Sequence, residues 1–293
     1  MYAIATPIAI PASQLPPAET TVSTRAIVYR TRGQQHGPIT RLMSPSDLGE
    51  HLKPFVFLDL FDADANAFQG FGLHPHSGIA TLSWSLQGDM GFEDTSGRKG
   101  VLAEGGVEWM QAGGGAWHAG GSGGSDRLRG FQLWVALPSA LELAPAFSTF
   151  LAPEAVAQEG PARVLLGQHG AARSAIPAPA SLNYLAIKLK AGERWRYQPP
   201  AGHTVAWVAL GEGDLLIPES LRQGEMAVFD ASVAAIEFQA ATDCVFVLGS
   251  AVPHPHALVL GRYSVHTSRE ALQQGQAGIQ QIGQRLRSEG RFN

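Results

Sequence analysis

The sequence predicts an all-β chain in which two β-barrels follow one another and a single helix closes the C-terminus. Three observations predict it. Short runs rich in β-branched and aromatic residues recur between turn residues from Ala26 to Leu248. Two parts of the chain echo each other in order and spacing. A helical period emerges only after Thr267.

In the first half, Ala26 to Tyr29 and Phe55 to Leu60 read as strands. Ala80, Leu82, Trp84 and Leu86 alternate with Thr81, Ser83 and Ser85, the period of two of a half-buried strand, and Gln87-Gly88-Asp89 ends it with turn chemistry. Val107 to Met110 and Phe131 to Leu137 continue the series. Between Pro138 and Pro179 the chain is rich in Ala and Pro, a crossover with one strand at Arg163 to Leu166. The boundary is placed inside it, giving domains 1–145 and 146–293. The second half resumes with strands at Tyr184 to Leu189, Val205 to Leu210, Leu215 to Ile217, Met226 to Phe229, Ile236 to Phe238 and Cys244 to Leu248. The echo pairs Trp84-Ser85-Leu86-Gln87-Gly88 and Gly105-Gly106-Val107-Glu108-Trp109 with Trp207-Val208-Ala209-Leu210-Gly211 and Gly224-Glu225-Met226-Ala227-Val228. A duplicated small barrel produces such a pattern. Thr267-x-x-Glu270 then forms a capping box, and Leu272, Ile279, Ile282 and Leu286 share one helical face. Gly275, Gly278 and Gly283 weaken that helix by propensity, so it needs a barrel to pack on.

Composition narrows the function classes. Acidic residues outnumber basic ones, 25 to 21, so no broad positive field exists for nucleic-acid phosphates and direct DNA binding is not expected. The lone cysteine, Cys244, lies in an apolar run and reads as buried and inert, which excludes an intrachain disulfide and favours a reducing compartment. The lead holds Pro7, Pro11, Pro16 and Pro17 without Lys or Arg, unlike a secretory signal, and no run is long enough for a membrane helix. A cytoplasmic location is the expectation.

The chemistry concentrates in His74-Pro75-His76 and in Gly113-Gly114-Gly115-Ala116-Trp117-His118. Two residues apart on an extended backbone, His74 and His76 point the same way. With no bulge at Gly78 they share parity with Leu82, Trp84 and Leu86 and face the apolar interior. Buried imidazoles need partners, and a divalent first-row metal suits neutral imidazole best. A glycine-rich bend that presents His118 supplies the third ligand.

Other residues have plainer readings. His254, His256 and His266 fall in a surface loop, His203 is solvated or structural, and His36, His51 and His169 lie in loops. Gly113 to Gly115 and Gly120 to Gly124 read as a flexible lip, since no Lys-Ser/Thr follows for a phosphate loop. Trp84, Trp109 and Trp134 belong to the core, while Trp117 is the tryptophan expected to line a pocket. Arg285, Arg287 and Arg291 form a solvated basic end.

Pro54-Phe55-Val56-Phe57-Leu58-Asp59, His74-Pro75-His76-Ser77-Gly78, Glu93-Asp94-Thr95-Ser96-Gly97, Gly106-Val107-Glu108-Trp109-Met110-Gln111-Ala112-Gly113 and Gln132-Leu133-Trp134-Val135-Ala136-Leu137-Pro138 follow the order and spacing of one family. In these the chain resembles the pirins of the cupin superfamily, with weaker similarity at Tyr263 to Thr267. The resemblance implies tandem cupin barrels (a bicupin) whose N-terminal barrel binds iron or another divalent metal and whose C-terminal barrel usually binds none. Some pirins oxidise quercetin with dioxygen and others are transcriptional co-regulators. Carried onto this chain, it implies one divalent ion on His74, His76 and His118, Fe(II) foremost with Zn, Ni, Cu or Mn as alternatives. It also implies either a small aromatic substrate such as a flavonol or, in a regulatory or redox-sensing protein, a protein partner; a metal-free relic that binds some small molecule is the remaining alternative. Pirins usually place a carboxylate ligand two residues after the third histidine; here Gly120 stands there, and Ala80 replaces the first-motif glutamate of many cupins. Losing an anionic ligand favours the reduced metal and removes a candidate base. Glu93, Glu108 and Asp126 are the candidate acids to compensate, and the sequence does not place them relative to the histidines.

Overall fold

The computed structural model describes residues 25–64, 70–95, 97–217 and 219–291, so the Pro-rich lead lies outside it. Two antiparallel sheets build each half. In the first, a seven-stranded sheet runs in the order Phe147–Leu151, Val107–Gln111, Ile79–Gln87, Arg127–Ala136, Phe55–Asp64, Ile39–Met43, Gln34–His36, facing a four-stranded sheet of Phe71–His76, Ala116–Ser122, Met90–Asp94 and Lys99–Leu102. The second half repeats the plan. Its large sheet holds Ile27–Thr31, Met226–Phe229, Val205–Glu212, Cys244–Ala251, Leu182–Leu189, Ala162–Leu166 and Gln158–Glu159, and its small sheet Arg194–Tyr197, Ile236–Ala240, Asp214–Ile217 and Glu219–Arg222. The strands carrying Trp84 and Trp207 occupy matching places, as the internal echo requires.

The halves exchange elements. Ile27–Thr31 pairs with Met226–Phe229 of the second barrel, and the Thr267 to Ser288 region packs back on the first. The crossover holds more order than expected, since Phe147–Leu151 joins the first sheet beside Val107–Gln111.

The two large sheets pack face to face. Leu82, Trp84, Trp109, Phe131 and Leu133 from one and Tyr184, Trp207, Ala209 and Val247 from the other form a single buried cluster, with the Phe55 and Trp207 rings edge to face at 5.4 Å. This corrects the parity argument. The apolar side of Ile79–Gln87 faces the neighbouring barrel, and Gly78, at φ +75°, turns the chain between the two sheets, so His74 and His76 do not share the side of Leu82 and Trp84.

What faces each lumen differs. In the first barrel Ser83, Glu108 and Gln132 line a hollow, whereas Ala206 and Ala227, the echo positions of Ser83 and Glu108, join Leu185, Ile187, Phe238 and Phe246 in a packed apolar core. The first barrel keeps a hollow with polar groups set in a largely apolar wall; the second is packed with apolar side chains. Cys244 belongs to the second at 2% exposure, and burial pushes its thiol up to about 11. Native protein at pH 8 is therefore expected to leave a thiol reagent unreacted and to take up one equivalent only after denaturation; rapid labelling of folded protein would contradict this.

The helix spans Arg269–Ser288. Its N-cap is Ser268 rather than Thr267, the Ser268 hydroxyl accepting from Ala271 N. Ala271, Gly275, Ile279, Gly283 and Leu286 make its buried face. A Cβ at Gly275 would meet His266 Nε2 at 2.4 Å, one at Gly278 the Gly114 carbonyl at 2.2 Å, and one at Gly283 the Trp117 ring at 2.8 Å. The glycines that weaken the isolated helix are thus what allows it to seat. Gly114 and Gly115 are close-packed against this helix and Gly113 against the Ala144 backbone, so this run forms no loose lip. No helix among the described residues is long and apolar enough to cross a membrane.

Candidate metal centre

His74 and His118 are direct cross-strand partners in the ladder of Phe71–His76 with Ala116–Ser122, and His76 pairs with Ala116 two positions along. All three imidazoles consequently rise from one face of the ladder. Their ring centroids lie 4.4 Å (His74 to His118), 5.0 Å (His74 to His76) and 5.1 Å (His76 to His118) apart. One ligand nitrogen from each lies within 4.8 Å of the others. Metal–nitrogen bonds of about 2.1 Å place adjacent ligand atoms about 3.0–3.4 Å apart, so modest ring rotation closes the set.

The hydrogen bonds fix which nitrogen is free. His74 Nδ1 donates to Gly72 O (2.8 Å) and His76 Nδ1 to Tyr263 O (3.2 Å). A carbonyl only accepts, so each Nδ1 carries the proton and each Nε2 keeps its lone pair. Among the described residues, His76 Nε2 and His118 Nε2 are buried without a hydrogen-bond partner. Two bare, buried imidazole nitrogens beside a third imidazole are costly unless a cation takes their lone pairs, and they fit a divalent metal. Burial, with His118 second, lowers His74 to about 4 and puts His76 well below its ordinary range. Both are neutral at pH 7, the form that coordinates.

His74 and His118 open on a small hollow of about 50 Å³, with His76 buried beside them. Ile39, Phe61, Met90 and Leu128 give it an apolar wall, and Asp59, Glu108 and Gln132 give it polar groups. Asp59 is held by Arg41, at 2.6 and 3.0 Å. Among the three acids expected to compensate for Gly120, Glu93 is bound to Arg291, Asp126 is exposed, and Glu108 stands in the wall.

Several expectations change. Trp117 Nε1 donates to Ile279 O (2.9 Å), so this residue anchors the helix; it lines no part of this hollow but, with His74, Pro75 and Tyr263, lines a more open pocket on the other side. Trp134 is core, stacked on Phe57 at 4.1 Å and edge-on to His76 at 4.7 Å. His254 and His266 are buried rather than in a surface loop: His254 Nε2 bonds Leu137 O, and His266 Nδ1 bonds Glu142 Oε2 at 3.1 Å. His203 is structural, between Ser181 and Ser250 hydroxyls. Arg285 stays solvated, but Arg291 ties the helix end to Glu93. Sequence reasoning missed Tyr263, whose carbonyl orients His76; a backbone contact from 187 residues away leaves no local pattern.

Burial lowers His203, His254 and His266 as well as His74 and His76. In the unfolded chain each titrates near 6.5. Below that pH the unfolded chain binds protons that the folded one does not, so metal-free protein loses stability as pH falls from about 6.5 toward about 4. The slope is at most about 1.4 kcal/mol per pH unit for each such group. Urea midpoints of chelator-treated protein at pH 8, 6.5, 5.5 and 4.5 measure this; equal midpoints down to pH 4.5 would refute it.

Comparison with known proteins identifies the family. The Pirin family model matches residues 37–135. A Pseudomonas aeruginosa protein provisionally named a quercetin 2,3-dioxygenase is 31% identical over 255 residues, covering 81% of this chain and 88% of its own. The crystal structure of a quercetin 2,3-dioxygenase from Acinetobacter baumannii superposes with a TM-score of 0.78 at 23% identity, over 87% of this chain and 96% of its own. The Escherichia coli pirin YhhW in complex with nickel(II) gives 0.62 at 20% identity, over 78% and 96%. With its tandem cupin-type barrels and a histidine triad in the N-terminal one, the chain belongs to the pirin family.

Proposed function

We propose that this protein is a metal-dependent dioxygenase of the quercetin-cleaving type, with one divalent metal, Fe(II) foremost, held by His74, His76 and His118. The observation that carries the reading is the pair of buried nitrogens without a partner among the described residues, His76 Nε2 and His118 Nε2, converging with His74 beside a hollow that His74 and His118 line. Such a metal, when bound, supplies Lewis acidity and electron exchange with dioxygen. The chain's own residues do the rest. Ile39, Phe61, Met90 and Leu128 exclude water and offer apolar surface to the faces of a flat aromatic. Gln132 and Ser83 offer hydrogen bonds to its hydroxyls deeper in. The Gly72 and Tyr263 carbonyls keep the His74 and His76 lone pairs aimed at the centre.

The test is oxygen uptake with quercetin by protein loaded in turn with iron, copper, nickel, manganese and zinc, beside the metal content of protein purified without chelator. Matched loss of oxygen and flavonol with one of these metals supports the reading; no turnover with any of them overturns it. A second reading, a non-catalytic regulator whose protein partner senses the metal, is favoured by Gly120, which removes the acid that pirins usually supply. It predicts partner capture that changes with metal state and no flavonol turnover.

A further inference from the structure

We propose that Glu108 is the acidic partner of this centre and that it acts through His118, from the next sheet, in place of the acid Gly120 lacks. The assignment rests on the three histidines holding a metal.

Position 120 is not blocked. A Cβ there would meet nothing nearer than Gly91 O at 3.7 Å, and Gly120 lies on the wall of the hollow, so the acid is missing where space for one exists. Glu108 enters the same hollow from Val107–Gln111, opposite Ser83, at 6% exposure. Its Oε1 lies 3.8 Å from His118 Nδ1. That is about 1 Å beyond a hydrogen bond, a gap that rotation of the Glu side chain spans.

Two contrasts single it out. His74 and His76 each give their Nδ1 proton to a backbone carbonyl, whereas His118 Nδ1 faces a carboxylate. Among the described residues, the other acid of the hollow, Asp59, has both oxygens taken by Arg41, while Glu108 has no Lys or Arg partner. A buried carboxylate with no cation beside it is costly, and the positive charge of a metal on the far side of His118 offsets that cost. In return the carboxylate fixes the tautomer, orients the ring and raises the basicity of Nε2. Three neutral ligands thereby gain one negative charge at one remove from the metal. Glu108 is a positioning residue and not a ligand.

Chelator competition with Zn(II) and Co(II), together with Co(II) absorption spectra, tests this on the full chain carrying Glu108→Gln, Glu108→Ala, Gly120→Glu or the Glu108→Gln, Gly120→Glu pair. Both Glu108 variants are expected to bind 10–100-fold more weakly with the Co(II) band intensity, and hence coordination number, unchanged. Gln keeps the shape and an acceptor oxygen, so a merely structural role would leave its affinity at the wild-type value, which overturns the proposal. The paired variant is expected to regain affinity over Glu108→Gln alone. A Glu108→Ala spectrum showing a lost ligand overturns the proposal in favour of direct coordination. If wild-type protein binds neither metal, the metal-binding reading itself has failed, and this is evident before any variant is compared.

Discussion

Protein carrying His76→Ala is expected to lose at least about a hundredfold in metal affinity, beyond the 10–100-fold range of changes to outer partners, because a ligand itself is removed. The accompanying change in stability separates a ligand from a core residue. Truncating a well-packed side chain costs several kcal/mol, but His76 carries a buried nitrogen with no partner among the described residues, and removing it relieves about 1–3 kcal/mol of unmet hydrogen bonding. The two effects oppose each other. Metal-free His76→Ala should therefore unfold within about 1–2 kcal/mol of metal-free wild type. Elemental analysis and urea unfolding of both proteins measure the pair of outcomes. Undiminished metal content, or a loss of stability typical of a filled core, would place His76 in the core and not in the centre.

Glu142→Ala is expected to have the largest effect on stability, about 3–5 kcal/mol, although Glu142 touches none of the three histidines of the centre. Its carboxylate, 3% exposed, accepts from Thr267 N (2.7 Å), Thr267 Oγ1 (2.5 Å) and His266 Nδ1 (3.1 Å). The far nitrogen of His266 lies 3.0 Å from Ser77 Oγ, whose hydroxyl donates to Ser264 Oγ at 2.8 Å. Removing the carboxylate leaves three donors unpaired where the C-terminal segment meets the strand that carries His76. The segment also contains Tyr263, so its release withdraws the carbonyl that aims His76. Hydrogen exchange should accelerate across the segment from Val259 to Ser288, and metal affinity should fall with it. Unchanged exchange there would show that the helix holds without this network.

The histidine triad could be read in advance because its geometry is local: an i, i+2 pair on an extended backbone and a third imidazole after a glycine turn need only strand periodicity. The direction of the triad could not. Alternation in Ile79–Gln87 identifies an apolar side, and the apolar side of a lone barrel is its lumen, but here it is the contact with the second barrel. The small polar side, Ser83 among it, lines the hollow. Likewise, a choice among Glu93, Glu108 and Asp126 depends on which strand lies across the barrel, and pairing between distant strands leaves no trace in nearby residues. The burial of His266 and the hold of Trp117 on the helix escape the sequence for the same reason. Both residues are buried by the C-terminal helix, whose own sequence marks its start and period but not its docking site.

That docking inverts a familiar expectation about the helix. Excised as a peptide, Arg269–Ser288 would gain helicity from Gly→Ala at 275, 278 or 283, by about 1 kcal/mol at each position. Within the protein the same methyl group at 278 would overlap the Gly114 carbonyl, a backbone atom with no rotamer by which to yield. Helicity of the fragment and retention of the tail on the barrel therefore run in opposite directions across one set of substitutions. A consensus-style stabilisation of this segment would produce a better helix with nowhere to sit.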